Sequence, residues 1–213
     1  LEHGREEAPR QEAVRGLGRL QVKAAVPALQ ELARGAASGD LTQAVIEALG
    51  EIGDKRAVSM LEQALKSSDK FVEVEAAFAL ARLGRKDMVG KLSDHLKSDP
   101  GTEKVGLLAA YYLAKLDRAA GLEHLVGLMK RTDGGCAVLA AEALGKSENP
   151  RAVLPLVEAA KSEDSSLRLS VARSLGRLGG TRALSALKQL RNDPNPGVRN
   201  AAFAALADLG ELE

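Results

Sequence analysis

A chain of 213 residues with 45% hydrophobic side chains has enough apolar surface for a packed core, which excludes a disordered polymer. Aromatics supply only 2% of it and Trp none, so strong helix formers outweigh the residues that favour strands. Thirty basic and twenty-nine acidic residues leave a formal charge of +1, which offers no general field to nucleic acid or anionic lipid. No apolar run approaches the roughly 18–20 residues of a membrane span.

Residues 1–7 read as a flexible leader. A motif then recurs, a Leu followed by Gly or Ala: Leu17-Gly18, Leu49-Gly50, Leu80-Ala81, Leu113-Ala114, Leu144-Gly145, Leu175-Gly176 and Leu206-Ala207, at spacings of 32, 31, 33, 31, 31 and 31. Around each Leu the apolar residues fall at offsets of three and four, as in Val72, Ala76, Ala77, Leu80 and Leu83, the stripe of an amphipathic helix. Gly53, Gly84, Gly179 and Gly210 close this first helix where a left-handed turn is expected. Asp117 and Glu148 stand at the same place in other units, and Ser147 replaces an aliphatic residue.

A second helix follows in each unit, marked by Val58, Leu61 and Leu65, then Val89, Leu92 and Leu96, then Leu122, Leu125 and Met129, with Val153-Leu156 and Leu184-Leu187 continuing the series. Polar turns rich in breakers separate the units, such as Ser98-Asp99-Pro100-Gly101 and Thr132-Asp133-Gly134-Gly135. The pattern predicts one array over 8–210, with helix pairs at 8–40, 41–70, 71–101, 102–134, 135–165 and 166–197 and a seventh first helix at about 198–209. Residues 211–213 read as a tail of the kind a vector adds. A hairpin of this size cannot bury its apolar faces alone, so stacking on neighbours supplies the core.

The run Ala48-Leu49-Gly50-Glu51-Ile52-Gly53-Asp54-Lys55-Arg56-Ala57-Val58, and Val198-Arg199 before Ala201-Ala202, resemble the short HEAT-like repeat of the phycobilisome-lyase type, over nearly the whole chain. The resemblance implies an all-α fold, a right-handed α-solenoid of two-helix repeats of about 31 residues, with second helices on the concave side. It also implies an adaptor or scaffold, the general role in a superfamily that has a few enzymes among its members. Aligned on that basis, the groove columns contain Arg56, Met60, Lys91, Glu123, His124, Arg151, Leu154 and Pro155 as candidate partner contacts. Counted with Asp87, Asp94, Glu31, Glu158 and Arg182, the groove has four basic and five acidic residues and no aromatics. That favours a protein or peptide partner and makes nucleic acid an unlikely one. Two positions before the reference Leu, opposite the apolar stripe, Phe78 and Tyr111 are candidates for a contact on the convex side.

Catalytic signals are sparse. His3, His95 and His124 are scattered; His95 shares a column with Leu32, Ala64, Leu128, Ala159 and Leu190, so packing is its expected role. No His is followed by Glu, so the iron-binding pairs of HEAT-repeat hydroxylases do not carry over, and no metal or cofactor is expected. Gly134-Gly135 lacks the Lys-Ser/Thr of a phosphate loop. Cys136, the one cysteine, excludes an intramolecular disulfide and fits core packing and a reducing, cytoplasmic compartment. The expectation is a monomeric, non-catalytic scaffold; the alternatives are a bilin-lyase-like or other cofactor-handling protein and, second, a nucleic-acid binder.

Overall fold

The computed structural model describes residues 3–35, 39–96, 103–131 and 134–211, and among them holds thirteen α-helices and no strand. The array expected to be single divides into two compact units, Leu1–Val105 and Gly106–Glu213. The first unit holds three repeats: α1 (His3–Arg19) with α2 (Val26–Arg34), α3 (Gly39–Ile52) with α4 (Val58–Ala64), and α5 (Lys70–Arg82) with α6 (Asp87–Leu96). The second holds most of α7 (Glu103–Lys115), then α8 (Ala119–Met129), α9 (Gly134–Lys146), α10 (Val153–Ala159), α11 (Ser165–Leu178), α12 (Thr181–Leu190) and α13 (Pro196–Asp208). First and second helices alternate along the chain; α3, α5, α9, α11 and α13 each begin one or two residues before the expected bound, and α1 begins at His3 inside the expected leader. The turn at 98–101 and residues 132–133 and 212–213 lie outside the described residues.

Small residues bring the first helices together. A Cβ on Gly50 would lie 2.7 Å from the Ala79 Cβ, and one on Gly176 would lie 2.6 Å from the Ala205 Cβ. Gly18 meets Ala48 and Gly145 meets Ser174 in the same register. At these four places the residue after the reference Leu therefore touches the residue before the next one. This explains why the motif demands Gly or Ala there: a larger side chain would force the axes apart. The reference leucines Leu49, Leu80, Leu113, Leu144, Leu175 and Leu206 are all fully buried. The strongest packing in each unit joins a helix to its own repeat or to the adjacent one, as in α1 on α3, α3 on α5, α9 on α11 and α11 on α13.

The turn closing each first helix has a positive φ whatever residue occupies it. Gly53, Gly84, Gly179 and Gly210 have positive φ, and so do Gln21 at 51°, Asp117 at 55° and Glu148 at 57°. Glycine adopts this left-handed conformation without strain and the other three do not. Ser147, in its aliphatic column, is buried and satisfied: its Oγ donates to the Leu144 carbonyl at 2.7 Å and accepts from the Asn149 N–H at 3.3 Å. The polar turns supply helix caps, with Asp69, Asp164 and Asn195 accepting from the backbone N–H of Phe71, Ser166 and Gly197. Arg168 holds buried Asp193 through two hydrogen bonds of 2.7 and 2.9 Å and also donates to the carbonyls of Ser162 and Glu163, tying the loop before α11 to the loop before α13.

Phe78 departs from expectation. It is 5% exposed rather than projecting to solvent. Its column does not point away from the core but sideways along the row of first helices, as the Arg15 Nε to Glu47 Oε2 pair at 3.4 Å in the same column shows. Residues Val72 to Leu80 of α5 are all buried, and the Arg82 guanidinium lies 6.0 Å from the Phe78 ring centroid. Tyr111 is half-buried in the second unit, 4.9 Å from Tyr112 between ring centroids and beneath the Lys115 ammonium. The free convex pair expected from sequence is thus not formed by Phe78.

Candidate partner-binding site

In the second unit the second helices α8 and α10 flank a cavity of about 810 Å³. Leu154 and Pro155 of α10 stand on one side and Val126 and Met129 of α8 on the other, with Leu167 at the start of α11. Leu154 is 52% exposed, a large apolar side chain offered to solvent at the mouth. Ala137 and Ala159 complete the apolar part of the lining, and their shortness is what leaves the volume empty. Charge at the rim is mixed: Lys161 pairs with Glu158 at 3.1 Å, Asp164 caps α11, and Lys130 is exposed.

Of the residues expected to contact a partner, Leu154 and Pro155 meet in this cavity. Glu123 and His124 lie on α8, the first exposed and the second half-buried, and neither lines it. Burial lowers the His124 pKa and favours the neutral imidazole. Met60 is half-buried on α4 in the first unit. The three cations are engaged within the chain. Arg56 donates to Asp54 at 2.7 Å and to the Lys23 carbonyl at 2.8 Å, and its hydrogen bonds lower the Asp54 carboxyl to about 2. Arg151 reaches Asp117 at 3.3 Å. Beside it, Asn149 donates to the Ala114 carbonyl at 2.8 Å and so ties the fifth repeat to the fourth. Lys91 belongs to a cluster around the buried Glu73.

That cluster was hidden in the sequence. Glu73 of α5, 6% exposed, accepts from Lys70 at 2.8 Å and lies 2.7 Å from the Lys91 Nζ, with His95 Nε2 at 3.9 Å. Burial acts to raise the Glu73 carboxyl, but the two ammonium groups prevail and hold it below the usual range. His95 is lowered, chiefly by burial. It keeps the packing position that its column implied. Among the described residues no group of three or more His, Cys, Asp or Glu is arranged to hold a metal, and no helix is long and apolar enough to cross a membrane.

The helix pairs, the small-residue seam and the left-handed turns define a HEAT-repeat protein, and the comparisons agree. The HEAT-repeat family matches residues 1–73 and 133–207, and the chain belongs to that family. Its structure is similar to the complex of CpcE and CpcF of phycocyanin lyase from Nostoc sp. PCC7120, with 23% identity, a TM-score of 0.53, and 94% of this chain and 80% of that one covered. It is also similar to human deoxyhypusine hydroxylase in complex with glycerol, with 20% identity, a TM-score of 0.50, and coverage of 95% and 80%. An engineered protein aligns at 25% identity and a TM-score of 0.47, covering 93% of this chain and 96% of its own. No characterised protein matches at the level of sequence. At these identities the likeness is one of fold.

Proposed function

We propose that the chain is a non-catalytic interaction scaffold whose second-helix side, in the second unit, holds a peptide or protein segment by an apolar anchor. The cavity beside Leu154 carries this reading: it has about 810 Å³, within the roughly 300–1,000 Å³ typical of binding pockets, and an exposed aliphatic residue at its mouth. Its walls are aliphatic and its rim carries both charge signs, which suits an apolar side chain flanked by polar ones. Arg56, Lys91 and Arg151 contribute less to such a surface, because Asp54, Glu73 and Asp117 already hold them. Met60, Glu123 and His124 remain flanking contacts for a longer partner.

The test begins with a displayed peptide library panned against the intact chain. The affinity of selected peptides is then measured for Leu154→Asp, which puts charge at the mouth, and Ala159→Phe, which fills the space. Each is expected to weaken binding at least about tenfold, the loss of one buried anchor. Selected peptides that bind both variants as they bind the parent chain would remove the cavity from the function.

A further inference from the structure

The other side of the second unit carries a groove of about 700 Å³ between the first helices α11 and α13. Its floor is low because Gly176 and Ala204 present almost no side chain, and Gly176 packs against Ala205 at backbone contact. Arg173 and Arg177, one helical turn apart on α11, form one wall, and Asn200 and Asp208 of α13 stand on the other.

These two arginines differ from their counterparts. In the first unit the same columns hold Arg15, paired with Glu47 at 3.4 Å, and Arg82, donating to the Gly50 carbonyl at 3.0 Å. Near the groove, Arg168 is fixed by Asp193, and Arg199 by the carbonyls of Asp193 and Pro194. Arg173 and Arg177 are both exposed, and among the described residues neither has an ion pair or a side-chain hydrogen bond. Glu142, which precedes Arg173 in its column, is not joined to it. Two guanidinium forks beside an open groove suit carboxylates that approach in the plane of the fork.

We propose that this groove docks an acidic protein segment, with Arg173 and Arg177 each taking a carboxylate. A protein segment fits better than a polyanion. Asp208, across from Arg177, repels a continuous run of phosphates but accepts a partner lysine, so the groove selects acidic residues on one side and a basic residue on the other. The site is independent of the Leu154 cavity and stands or falls separately.

The probe is an Ala-based helical peptide with Glu at i and i+4 and a Lys on the flanking face, titrated into the ¹⁵N-labelled chain at low salt. Shifts are expected at Arg173, Arg177 and Asn200, with binding weakened about tenfold or more in the double variant Arg173→Glu, Arg177→Glu. A peptide with Lys in place of both Glu residues is expected to bind that variant and not the parent chain. Equal binding of the acidic peptide to parent and double variant overturns the proposal, as does failure of the charge swap to transfer binding. So does an oligonucleotide that occupies the groove more tightly than the peptide at the same salt, because it would assign the arginines to phosphate.

Discussion

In the third repeat, Glu73 of α5 faces Lys91 and His95 of α6, and the three side chains fill the space between helices with a polar network. In the fifth repeat the same three positions, counted from the reference leucines, are Ala137 of α9 and Pro155 and Ala159 of α10, and there the space is the cavity. The supporting seam is alike in both places, since Gly50 meets Ala79 and Gly145 meets Ser174. The row of first helices therefore sets the repeat, and the second-helix side is left to vary between an internal network and an open site. Three substitutions' worth of volume and charge separates the two.

The seam is where damage is expected to be greatest. Gly50→Val places side-chain atoms inside the Ala79 contact and is expected to lower stability by about 2–3 kcal/mol in urea unfolding. A smaller change at Leu154, below about 0.5 kcal/mol, is expected from Leu154→Ala, because that side chain is half exposed. Equal costs would erase the contrast between seam and site. Next in size, Glu73→Ala removes the acceptor shared by Lys70 and Lys91. Both ammonium groups reach water, so the expected loss is about 1–2 kcal/mol rather than that of a fully buried pair. An unchanged urea midpoint would mean that the network adds nothing to folding.

Glu148→Gly relieves a left-handed residue that has no glycine, and a gain of about 0.5–1 kcal/mol is expected in the same assay. Asp117→Gly is expected to gain less, because Asp117 also receives Arg151 and Asn149. The smallest effect is in pH. Burial lowers the folded pKa of His95 and His124 below the ordinary 6.5, so the folded state prefers the neutral ring. Their contribution is complete above about pH 6.5 and is lost as the pH falls below it. The urea midpoint is expected to decline from pH 7 to pH 5.5, and less steeply in His95→Leu. A midpoint that rises over that interval would contradict the burial assigned to these imidazoles.

The fold was legible because its determinants are present as side chains in register. The Leu-Gly and Leu-Ala pairs mark the seam, and Gly53, Gly84, Gly179 and Gly210 mark the turns. The cavity was not legible because it consists of missing volume. Its trace in the sequence was Ala159, short in a column where Leu128 and Leu190 are long. Arg56, Lys91 and Arg151 look like groove charges in a column alignment, yet their acidic partners sit on turns or on the neighbouring helix, at separations that no single column displays. Phe78 was misplaced because α5, packed on α3, α4 and α6, has less solvent-facing arc than an amphipathic stripe suggests.

Because packing within each unit is strongest between a repeat and its immediate neighbour, cooperativity is handed along locally. Native-state hydrogen exchange is accordingly expected to trace a gradient: amides of a terminal repeat open at low free energy, while those of a central first helix wait for the adjoining interface to separate. A ligand bridging α8 and α10 would then act as a brace, slowing exchange in the fourth and fifth repeats before the rest of the second unit responds.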